Sequence, residues 1–469
     1  MNTKVLFIIP PESQIKDEKQ AGSKWPRIGV AYIAGFLRKQ GVAVNILDCK
    51  VLGLTLQDVE DEVRKYRPNI VGLGPFTEEI YDAYAVCKIV KKVDPAIVTV
   101  FGGPHVSAVP ERTLKEFPLL DYVFYGEGEV SFYEFVRGVI PENIHGLAYR
   151  DRSNFIVNPP AALVNNLEFF SYPAWDLFPI DAYRGYLTSH FREKVSEPTL
   201  ELPILSARGC PFRCNFCFKT YPGLRNRDAI KIVDEIEYDI KTYGATEFFF
   251  VEGTFAADRK QGFVICDEII SRKLNIKWVV ETRVNAIDKE LLRRMKEAGC
   301  TQVEFGVESG DEDVLKKSGK GITVAQVKYA VSVAKEIGFK VGCYFVIGHP
   351  YETRESIKRT YTLARDLDPD IMNVGIMIPY PGTKIREMAE KGEGNYRLLC
   401  SDWSEYTKQR GGPLELTNLS IKQLQRIQSI EYIKYYMRPK KMLYVLKNFP
   451  IDKVFKITKS LLRACVGRA

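Results

Sequence analysis

The stretch Leu202-Pro-Ile-Leu-Ser-Ala-Arg-Gly-Cys210-Pro-Phe-Arg-Cys214-Asn-Phe-Cys217 joins a short apolar run, typical of a buried strand, to three cysteines within eight positions. Soft thiolate ligands this close in one loop favour zinc or an iron–sulfur cluster. A structural zinc site would normally need a second pair of cysteines or histidines at a similar spacing. The other seven cysteines are isolated and the chain has four histidines. The spacing therefore favours a cluster in which three cysteines leave one iron open over three cysteines that share a loop by chance.

Five more apolar runs follow the first one, and segments with helical periodicity separate them. The six runs cover residues 202–207, 247–251, 277–281, 302–306, 340–347 and 371–378. Six strand–helix units in succession predict a barrel or partial barrel, in which the active site lies on the loops that follow the strands. The cysteines follow the first strand of this series.

The first part of the chain also alternates between strand and helix patterns. Apolar runs cover residues 5–9, 42–47, 70–73, 97–101 and 122–125, and segments such as Ile28–Arg38 have helical periodicity. Parallel strands require crossover helices, so this pattern predicts an open, Rossmann-like parallel α/β sheet. Such a sheet binds its ligand at the carboxyl ends of its strands.

Four regions are expected along the chain. They are a Rossmann-like domain over 1–140, a proline-containing connector over 141–200, a partial barrel over 201–400 and a helical, basic region over 401–469. The fold class is thus α/β with a helical C-terminal region.

Composition excludes several classes of protein. The chain has 469 residues, of which 45% are hydrophobic and 27% charged, and this is ordinary for a globular protein. Its net charge of +8 is modest for this length and does not predict nucleic-acid binding. No apolar stretch approaches about 18 residues, and the first residues do not form a signal peptide. We expect a cytoplasmic monomer in a reducing compartment.

The cysteine loop resembles the signature of the radical S-adenosylmethionine (SAM) superfamily. The shared pattern is Cys-x3-Cys-x2-Cys with an aromatic residue, Phe216, before the last cysteine, directly after a barrel strand. The resemblance implies that Cys210, Cys214 and Cys217 hold a [4Fe–4S] cluster whose open iron is chelated by SAM. It also implies that an electron, supplied by a reductase, flavodoxin or ferredoxin, cleaves SAM to methionine and a 5′-deoxyadenosyl radical that abstracts hydrogen from an unactivated carbon.

Residues at the ends of later strands resemble the contacts that this family makes to SAM. A second acid often found beside Glu252 is replaced by Gly253, and the loops 347–353 and 379–383 match those after strands five and six, the former near adenine. Each position could instead be ordinary turn or cap material. The expected SAM contacts are Phe216, Glu252, Glu281, Arg283, Glu308, Ser309 and Gly348.

The glycine-containing loops of the first domain resemble those of the cobalamin (B12)-binding domain that many radical enzymes of this branch carry before the barrel. The usual Asp-x-His-x-x-Gly is Asp48-x-Lys50-x-x-Gly53 here, so we expect no histidine from this motif on cobalt and a displaced nucleotide tail. The expected cobalamin contacts are Asp48, Gly74, Thr77, Gly102, Gly103, His105, Ser107, Gly126 and Glu127.

Two features of this domain have alternative explanations. His105 contacts either the corrin or only its protein neighbours, and a lone loop histidine is more often structural. The alternative ligand of the domain is a nucleotide. The Gly-x-Gly-x-x-Gly fingerprint of nucleotide binding is missing after the first strand, which disfavours this alternative.

The C-terminal segment 451–465 places apolar or small residues at helical spacing, with lysine and arginine elsewhere on the helical wheel. Such a helix either packs on the protein with its lysines solvated or lies on an anionic membrane surface. A peripheral membrane contact is therefore one of the two expectations for this segment.

The resemblance, which covers nearly the whole chain, implies methylation of an unactivated carbon. A substrate radical takes methyl from methylcobalamin, and a second SAM restores it. The alternatives are a ring closure or carbon rearrangement like that of the anaerobic porphyrin cyclases, and a cluster-containing binding or sensing protein. The substrate is a small molecule or a lipid, which the sequence does not specify.

Overall fold

The computed structural model of the chain describes residues 3–12, 25–185, 199–407 and 411–448. The chain divides into two compact units, which are described separately below. The basic segment 451–465 lies outside the described residues.

The first unit is built on a seven-stranded sheet. Strands β1 to β5 are all parallel and β6 and β7 are antiparallel, in the order β2-β1-β3-β4-β5-β6-β7. The parallel part confirms the Rossmann-like sheet predicted from the sequence, because crossover helices join its strands. The strands are β1 Lys4–Ile9, β2 Ala43–Asp48, β3 Ile70–Leu73, β4 Val98–Phe101, β5 Tyr122–Phe124, β6 Leu147–Asp151 and β7 Asn154–Val157.

The helices of this sheet have apolar faces that are buried. In the first of them, Ala31, Phe36 and Leu37 are at most 2% exposed, as the helical periodicity of Ile28–Arg38 predicts. The helices are α1 Ile28–Lys39, α2 Cys49–Leu52, α3 Leu56–Tyr66, α4 Ile80–Val93, α5 Pro104–Ala108, α6 Pro110–Glu116, α7 Glu129–Val136 and α8 Ile180–Tyr183.

Part of the connector predicted over 141–200 belongs to the sheet. The strands β6 and β7 form a hairpin through a two-residue turn in which Arg152 has a φ of 54°. Neither turn residue is glycine or asparagine, so the usual sequence signature of a hairpin is missing. This explains why the periodicity of this region gave no strand.

The second series of strands is also parallel. All six of its strands share one sheet in chain order, β8-β11-β12-β13-β14-β15, which confirms the series of six units predicted from the sequence. These strands are β8 Glu201–Ile204, β11 Glu247–Phe250, β12 Lys277–Thr282, β13 Cys300–Glu308, β14 Lys340–Ile347 and β15 Ile371–Ile376. Two short antiparallel pairs are separate from it: β9 Ala207–Gly209 with β10 Leu224–Asn226, and β16 Tyr396–Leu398 with β17 Leu414–Leu416.

Alternate residues of these strands point to opposite faces of the sheet. On β13, Val303, Phe305 and Val307 are fully buried on the face where helices pack, whereas Gln302 and Glu304 occupy the other face. The helices are α9 Ala229–Tyr243, α10 Arg259–Ser271, α11 Lys289–Glu297, α12 Glu312–Lys317, α13 Val324–Ile337, α14 Arg354–Leu367, α15 Lys384–Lys391, α16 Ile421–Tyr436 and α17 Pro439–Asn448.

Helix α16 covers the open edge of the second sheet. Because the sheet does not close into a full barrel, β15 has backbone groups that no further strand can pair. The Val374 N–H donates to the Tyr432 hydroxyl at 2.7 Å, and the Gln428 amide donates to the Val374 carbonyl at 2.6 Å. Tyr436 bonds to the backbone of Met372 in the same way. These side chains bond to backbone groups of β15 with which another strand could otherwise pair.

Candidate active site

The cysteine loop connects the two strands of a short hairpin. Gly209 and Leu224 are register partners, as are Arg208 and Arg225. Gly209 has a φ of 85°, and a Cβ atom at this position would lie 2.2 Å from the Gly223 carbonyl oxygen. Only glycine fits such a close approach of two backbones. The loop that carries all three cysteines thus begins and ends where these two backbones are close together. The paired residues 207–209 and 224–226 are called the neck of the loop below.

The cysteines of this loop are more exposed than most of the other described cysteines. Cys210 and Cys214 are half-buried and Cys217 is exposed, whereas five of the isolated cysteines are buried. The Lys219 ammonium donates to the Cys210 carbonyl at 2.9 Å and so ties the second half of the loop to its first cysteine.

Cations and a thiol donor favour the thiolate form of Cys214. The pKa of Cys214 is lowered to about 6, chiefly because the Cys217 thiol donates a hydrogen bond to it, and further by Lys320 and Arg283. The Arg283 Nη1 atom lies 3.4 Å from the Cys214 Sγ atom, and its guanidinium stacks on the Phe212 ring at 3.8 Å. The pKa of Cys217 is raised correspondingly, because its proton is held by Cys214. These contacts favour the thiolate of Cys214, and thiolates are the form that binds metals.

The donor set fits an iron–sulfur cluster better than a single metal ion. Within the described ranges, no three histidine, cysteine, aspartate or glutamate side chains are grouped to hold one ion. A [4Fe–4S] cluster makes no such demand, because each cysteine binds a different iron. Three cysteines that are not fully buried and lie in one loop are consistent with that arrangement.

The end of β13 brings an ion pair to the Cys214 side of the loop. The Lys320 Nζ atom lies 2.6 Å from the Glu308 Oε1 atom, and both side chains are less than 10% exposed. Glu308 has a φ of 68°, which is unusual for a residue with a side chain and is typical of functional sites. The charges of both groups act on Cys214.

Ser309, by contrast, is engaged with helix α14. It is fully buried, and its hydroxyl lies 3.0 Å from the Thr360 hydroxyl. A Cβ atom on the following Gly310 would lie within 3 Å of the Arg359 and Thr360 backbone. The glycine thus allows α14 to approach the end of β13.

The loop after β14 also reaches the cysteine loop. The His349 ring packs edge-on against Phe216, with ring centroids 5.8 Å apart. His349 is fully buried, which lowers its pKa to about 4, and within the described ranges neither ring nitrogen has a hydrogen-bond partner. The Gly348 and His349 N–H groups both donate to the buried Glu352 carboxylate, at 2.5 and 3.1 Å, and burial raises the pKa of Glu352 to about 8.

The inner face of the second sheet carries acidic residues, only some of which were predicted from the sequence. Glu281 of β12 is the register partner of Glu304 of β13, and the Tyr344 hydroxyl donates to Glu304. Burial, and next the charge of Glu281, raise the pKa of Glu304 to about 7. Glu252, the remaining predicted acid, follows β11 and is 5% exposed. Glu304, Tyr344 and Lys320 had no motif to reveal them, because their grouping depends on the pairing of separate strands and loops.

The structure brings most of the predicted cobalamin contacts to the carboxyl edge of the first sheet. His105 Nδ1 lies 3.1 Å from the Thr77 hydroxyl, and both residues are buried. The Ser107 hydroxyl donates to the Gly103 carbonyl at 2.8 Å and accepts from the Gly126 N–H at 3.0 Å. Gly74 and Gly102 lie in the same loops, next to their strands.

Asp48 and Lys50, the altered metal-ligand motif, are held by their own unit. The Asp48 carboxylate caps α2 and accepts from the Tyr183 hydroxyl. The Lys50 ammonium lies 2.8 Å from Glu12 and 3.3 Å from Glu79. Lys50 therefore stands where the usual motif has histidine, and two carboxylates neutralise it.

Glu127, the last predicted cobalamin contact, lies against two arginines. Its carboxylate accepts from Arg208 at 3.0 Å and from Arg225 at 2.5 and 3.0 Å. No sequence pattern indicates this pairing, since the arginines lie about 80 and 100 residues further along the chain.

Comparison with known proteins agrees with this geometry. Residues 204–364 match the model of the radical SAM superfamily, and residues 19–136 match that of the B12 binding domain. The uncharacterized methyltransferase PH0819 of Pyrococcus horikoshii is 34% identical over 448 residues, 94% of each chain. The anaerobic magnesium-protoporphyrin IX monomethyl ester cyclase of Rubrivivax gelatinosus is 31% identical over 404 residues, 83% of this chain and 71% of the cyclase.

A solved structure shares the fold. The radical SAM methyltransferase TsrM from Kitasatospora setae, with cobalamin and a [4Fe–4S] cluster bound, has a TM-score of 0.69. The identity is 18%, and the alignment covers 86% of this chain and 78% of that one. The two family matches imply a [4Fe–4S] cluster, SAM and cobalamin as cofactors. The chain therefore belongs to the radical SAM enzymes that carry a B12-binding domain before the radical domain.

Proposed function

We propose that this protein transfers a methyl group to an unactivated carbon of a small-molecule or lipid substrate. The observation that carries the proposal is the relationship to a named methyltransferase along 94% of both chains, with both domain matches in the same chain. When bound, the cluster and SAM supply the adenosyl radical and methylcobalamin supplies the methyl group.

The cysteine loop and its surroundings have defined tasks in this proposal. Cys210, Cys214 and Cys217 hold the cluster, and Arg283 and Lys320 stabilise the negative charge that the thiolates bring. The amino and carboxylate groups of SAM are zwitterionic, and the acid and cations around Glu308 match them in charge. Phe216, Glu252, Glu281, Ser309 and Gly348 complete the proposed SAM site.

The proposed cobalamin site is the carboxyl edge of the first sheet. Its proposed members are Asp48, Gly74, Thr77, Gly102, Gly103, His105, Ser107 and Gly126, whereas the carboxylate of Glu127, the remaining predicted contact, is engaged by Arg208 and Arg225. Lys50 is held by Glu12 and Glu79, so the motif has no side chain free to ligate cobalt from below. We therefore propose that cobalamin binds without a histidine from this motif.

The test measures SAM products from anaerobically reconstituted protein. Reduced wild-type protein should form 5′-deoxyadenosine, and changing any one of Cys210, Cys214 and Cys217 to Ala should abolish it. Cys400→Ala is the matched control, because that half-buried cysteine lies outside the loop. Full activity in a variant of the loop would refute the assignment of the cluster ligands. Failure of the wild type to form 5′-deoxyadenosine would instead support a binding or sensing protein.

A second candidate function is ring closure without methyl transfer. The observation that favours it is the 31% identity to the anaerobic cyclase over 83% of this chain. Methylation consumes two SAM molecules and yields S-adenosylhomocysteine together with 5′-deoxyadenosine. With substrate present, SAM bearing a CD3 group should label the product; consumption of substrate without label would select the cyclase reaction.

We also propose an electron donor, an oligomeric state and a cellular location for this protein. A flavodoxin, ferredoxin or reductase supplies the electron, and the protein works as a cytoplasmic monomer without nucleic acid. None of the described helices is long and apolar enough to span a membrane. Helix α17 nevertheless exposes Leu443 by 69% and Leu446 by 48%, beside the Lys440 side chain that is 82% exposed.

This surface supports peripheral contact with an anionic membrane. The double variant Leu443→Ser/Leu446→Ser should bind vesicles of phosphatidylglycerol and phosphatidylcholine less tightly than the wild type. Ile140→Ser, which changes an equally exposed apolar residue far along the chain, is the control. Equal partitioning of all three proteins would discard the membrane contact.

A further inference from the structure

The neck of the cysteine loop places two arginines side by side. Arg208 and Arg225 are register partners on the antiparallel strands β9 and β10, so their side chains lie on one face of the hairpin. Two like charges directly opposite each other repel, and these two are only 9% and 10% exposed. The hairpin therefore requires counter-charges where it is buried.

Two glutamates supply those charges, and they belong to the same compact unit as both strands of the hairpin. Glu127 accepts from Arg225 through both of its carboxylate oxygens and from Arg208 through Oε1, and Glu129 accepts from Arg208 at 2.6 Å. The two acids are 5% and 6% exposed. Charge-assisted pairs of this kind are strong and directional. Glu127 thus bridges the two strands of the neck.

Glu127 belongs at the same time to the carboxyl edge of the first sheet. It lies in the loop between β5 and α7, directly after Gly126, whose N–H donates to Ser107. Arg225 also donates to the Val164 carbonyl at 2.6 Å, which fixes the second strand of the neck. One short segment, 126–129, therefore connects the proposed cobalamin edge with the strands that carry the cysteines.

We propose that Glu127 is a positioning residue for the cysteine loop, which clamps its two strands through Arg208 and Arg225 and so fixes the first cysteine, Cys210. This inference rests on the proposed role of the cysteines. It assigns Glu127 to the cluster loop and not to the corrin. Glu129 has a lesser role, because it contacts only one of the arginines.

The first measurement is hydrogen exchange in the metal-free protein, which depends on neither cofactor nor activity. Glu127→Gln should increase the exchange rates of amides in 207–209 and 224–226 by tenfold or more, and Glu129→Gln should do so less. Glu111→Gln is the control, because it removes a carboxylate that is 51% exposed and pairs with Lys115. Amides of β3 serve as the internal reference for intact folding.

The second measurement tests positioning beyond stability. In reconstituted protein, Glu127→Gln should shift the electron paramagnetic resonance g values of the reduced cluster or lower its iron content, while cobalamin affinity stays within twofold. If the wild type binds no cluster, the proposed function fails, but the exchange experiment still decides whether the clamp exists.

Three outcomes would overturn the proposal. Unchanged exchange at the neck in Glu127→Gln would show that no clamp exists. A loss of cobalamin affinity with unchanged exchange and unchanged g values would make Glu127 a corrin contact. If β3 also exchanges rapidly, the Glu127→Gln variant is unfolded, and Arg225→Gln, which keeps the pair of Glu127 with Arg208, is measured in its place. If the amides of β3 and those of 207–209 and 224–226 all stay protected in Arg225→Gln, the clamp is likewise refuted.

Discussion

Glu304 shows how one buried acid makes stability depend on pH. Its side chain is 2% exposed and accepts from Gln302 and Tyr344. The pKa rises from the ordinary glutamate value of 4.5 to about 7 in the folded protein, chiefly through burial. The folded state therefore binds one proton more than the unfolded state between these two values. The contribution of Glu304 to the free energy of unfolding is therefore largest below about pH 4.5 and decreases as the pH rises to about 7.

The variant Glu304→Gln should lose this pH dependence. Relative to the wild type it should gain about 1–3 kcal/mol of unfolding free energy between pH 4.5 and 8, because glutamine has no proton to release. Urea unfolding at several pH values measures this difference. Glu290→Gln, with a side chain that is 75% exposed, should follow the wild type at every pH. A constant difference between Glu304→Gln and the wild type would mean that Glu304 does not titrate in this range.

At the scale of elements, α16 is a cover for the edge of the partial barrel. Its side chains Gln428, Tyr432 and Tyr436 bond to the backbone of β15. A buried backbone group without a partner costs about 1–3 kcal/mol. The helix thus replaces, with side chains, the neighbour that a closed barrel would provide as a strand.

The double variant Gln428→Leu/Tyr432→Phe should therefore uncover the edge. We expect a loss of about 2–4 kcal/mol in unfolding free energy, together with self-association, because an open edge accepts another strand. Denaturant unfolding and light scattering measure the two effects. Tyr329→Phe alters a tyrosine that is 59% exposed and should change neither. Stability equal to the wild type would show that water satisfies the edge as well as the helix does.

At the scale of the whole molecule, we expect the fold to be independent of the cluster. Both sheets have buried apolar cores, whereas the cysteine loop is half-exposed and short. Unlike a zinc finger, which is unfolded without metal, this chain should keep its structure when iron is removed. Chelation of iron should leave the far-ultraviolet circular dichroism spectrum unchanged and shift Tm by only a few degrees. The triple variant with Cys210, Cys214 and Cys217 changed to Ser should behave alike, and its unfolding would contradict this view.

The sequence predicted the sheets well because apolar periodicity depends on short-range pattern. The strand 340–347 agrees at both ends, and the five parallel strands of the seven-stranded first sheet were found within one residue at each end. The cysteine loop was equally plain, since its ligands are neighbours in the chain. Groupings that depend on the fold were not visible: Glu127 with Arg208, Lys320 with Glu308, and Glu304 with Tyr344 join residues of separate elements. Where polar and apolar residues alternate along a strand, the sequence does not show whether the polar side chains face water or the interior of a barrel.

The cover on β15 also has a consequence for synthesis. Its strand ends at Ile376, and the side chains that cover it begin about 50 residues later, at Gln428. A ribosome that adds roughly 5–20 residues per second needs several seconds for that interval. A parallel sheet that forms during this time would have an uncovered edge at β15. We expect translational pauses between the two elements to favour aggregation of unfinished chains, and trigger-factor-like chaperones to bind there.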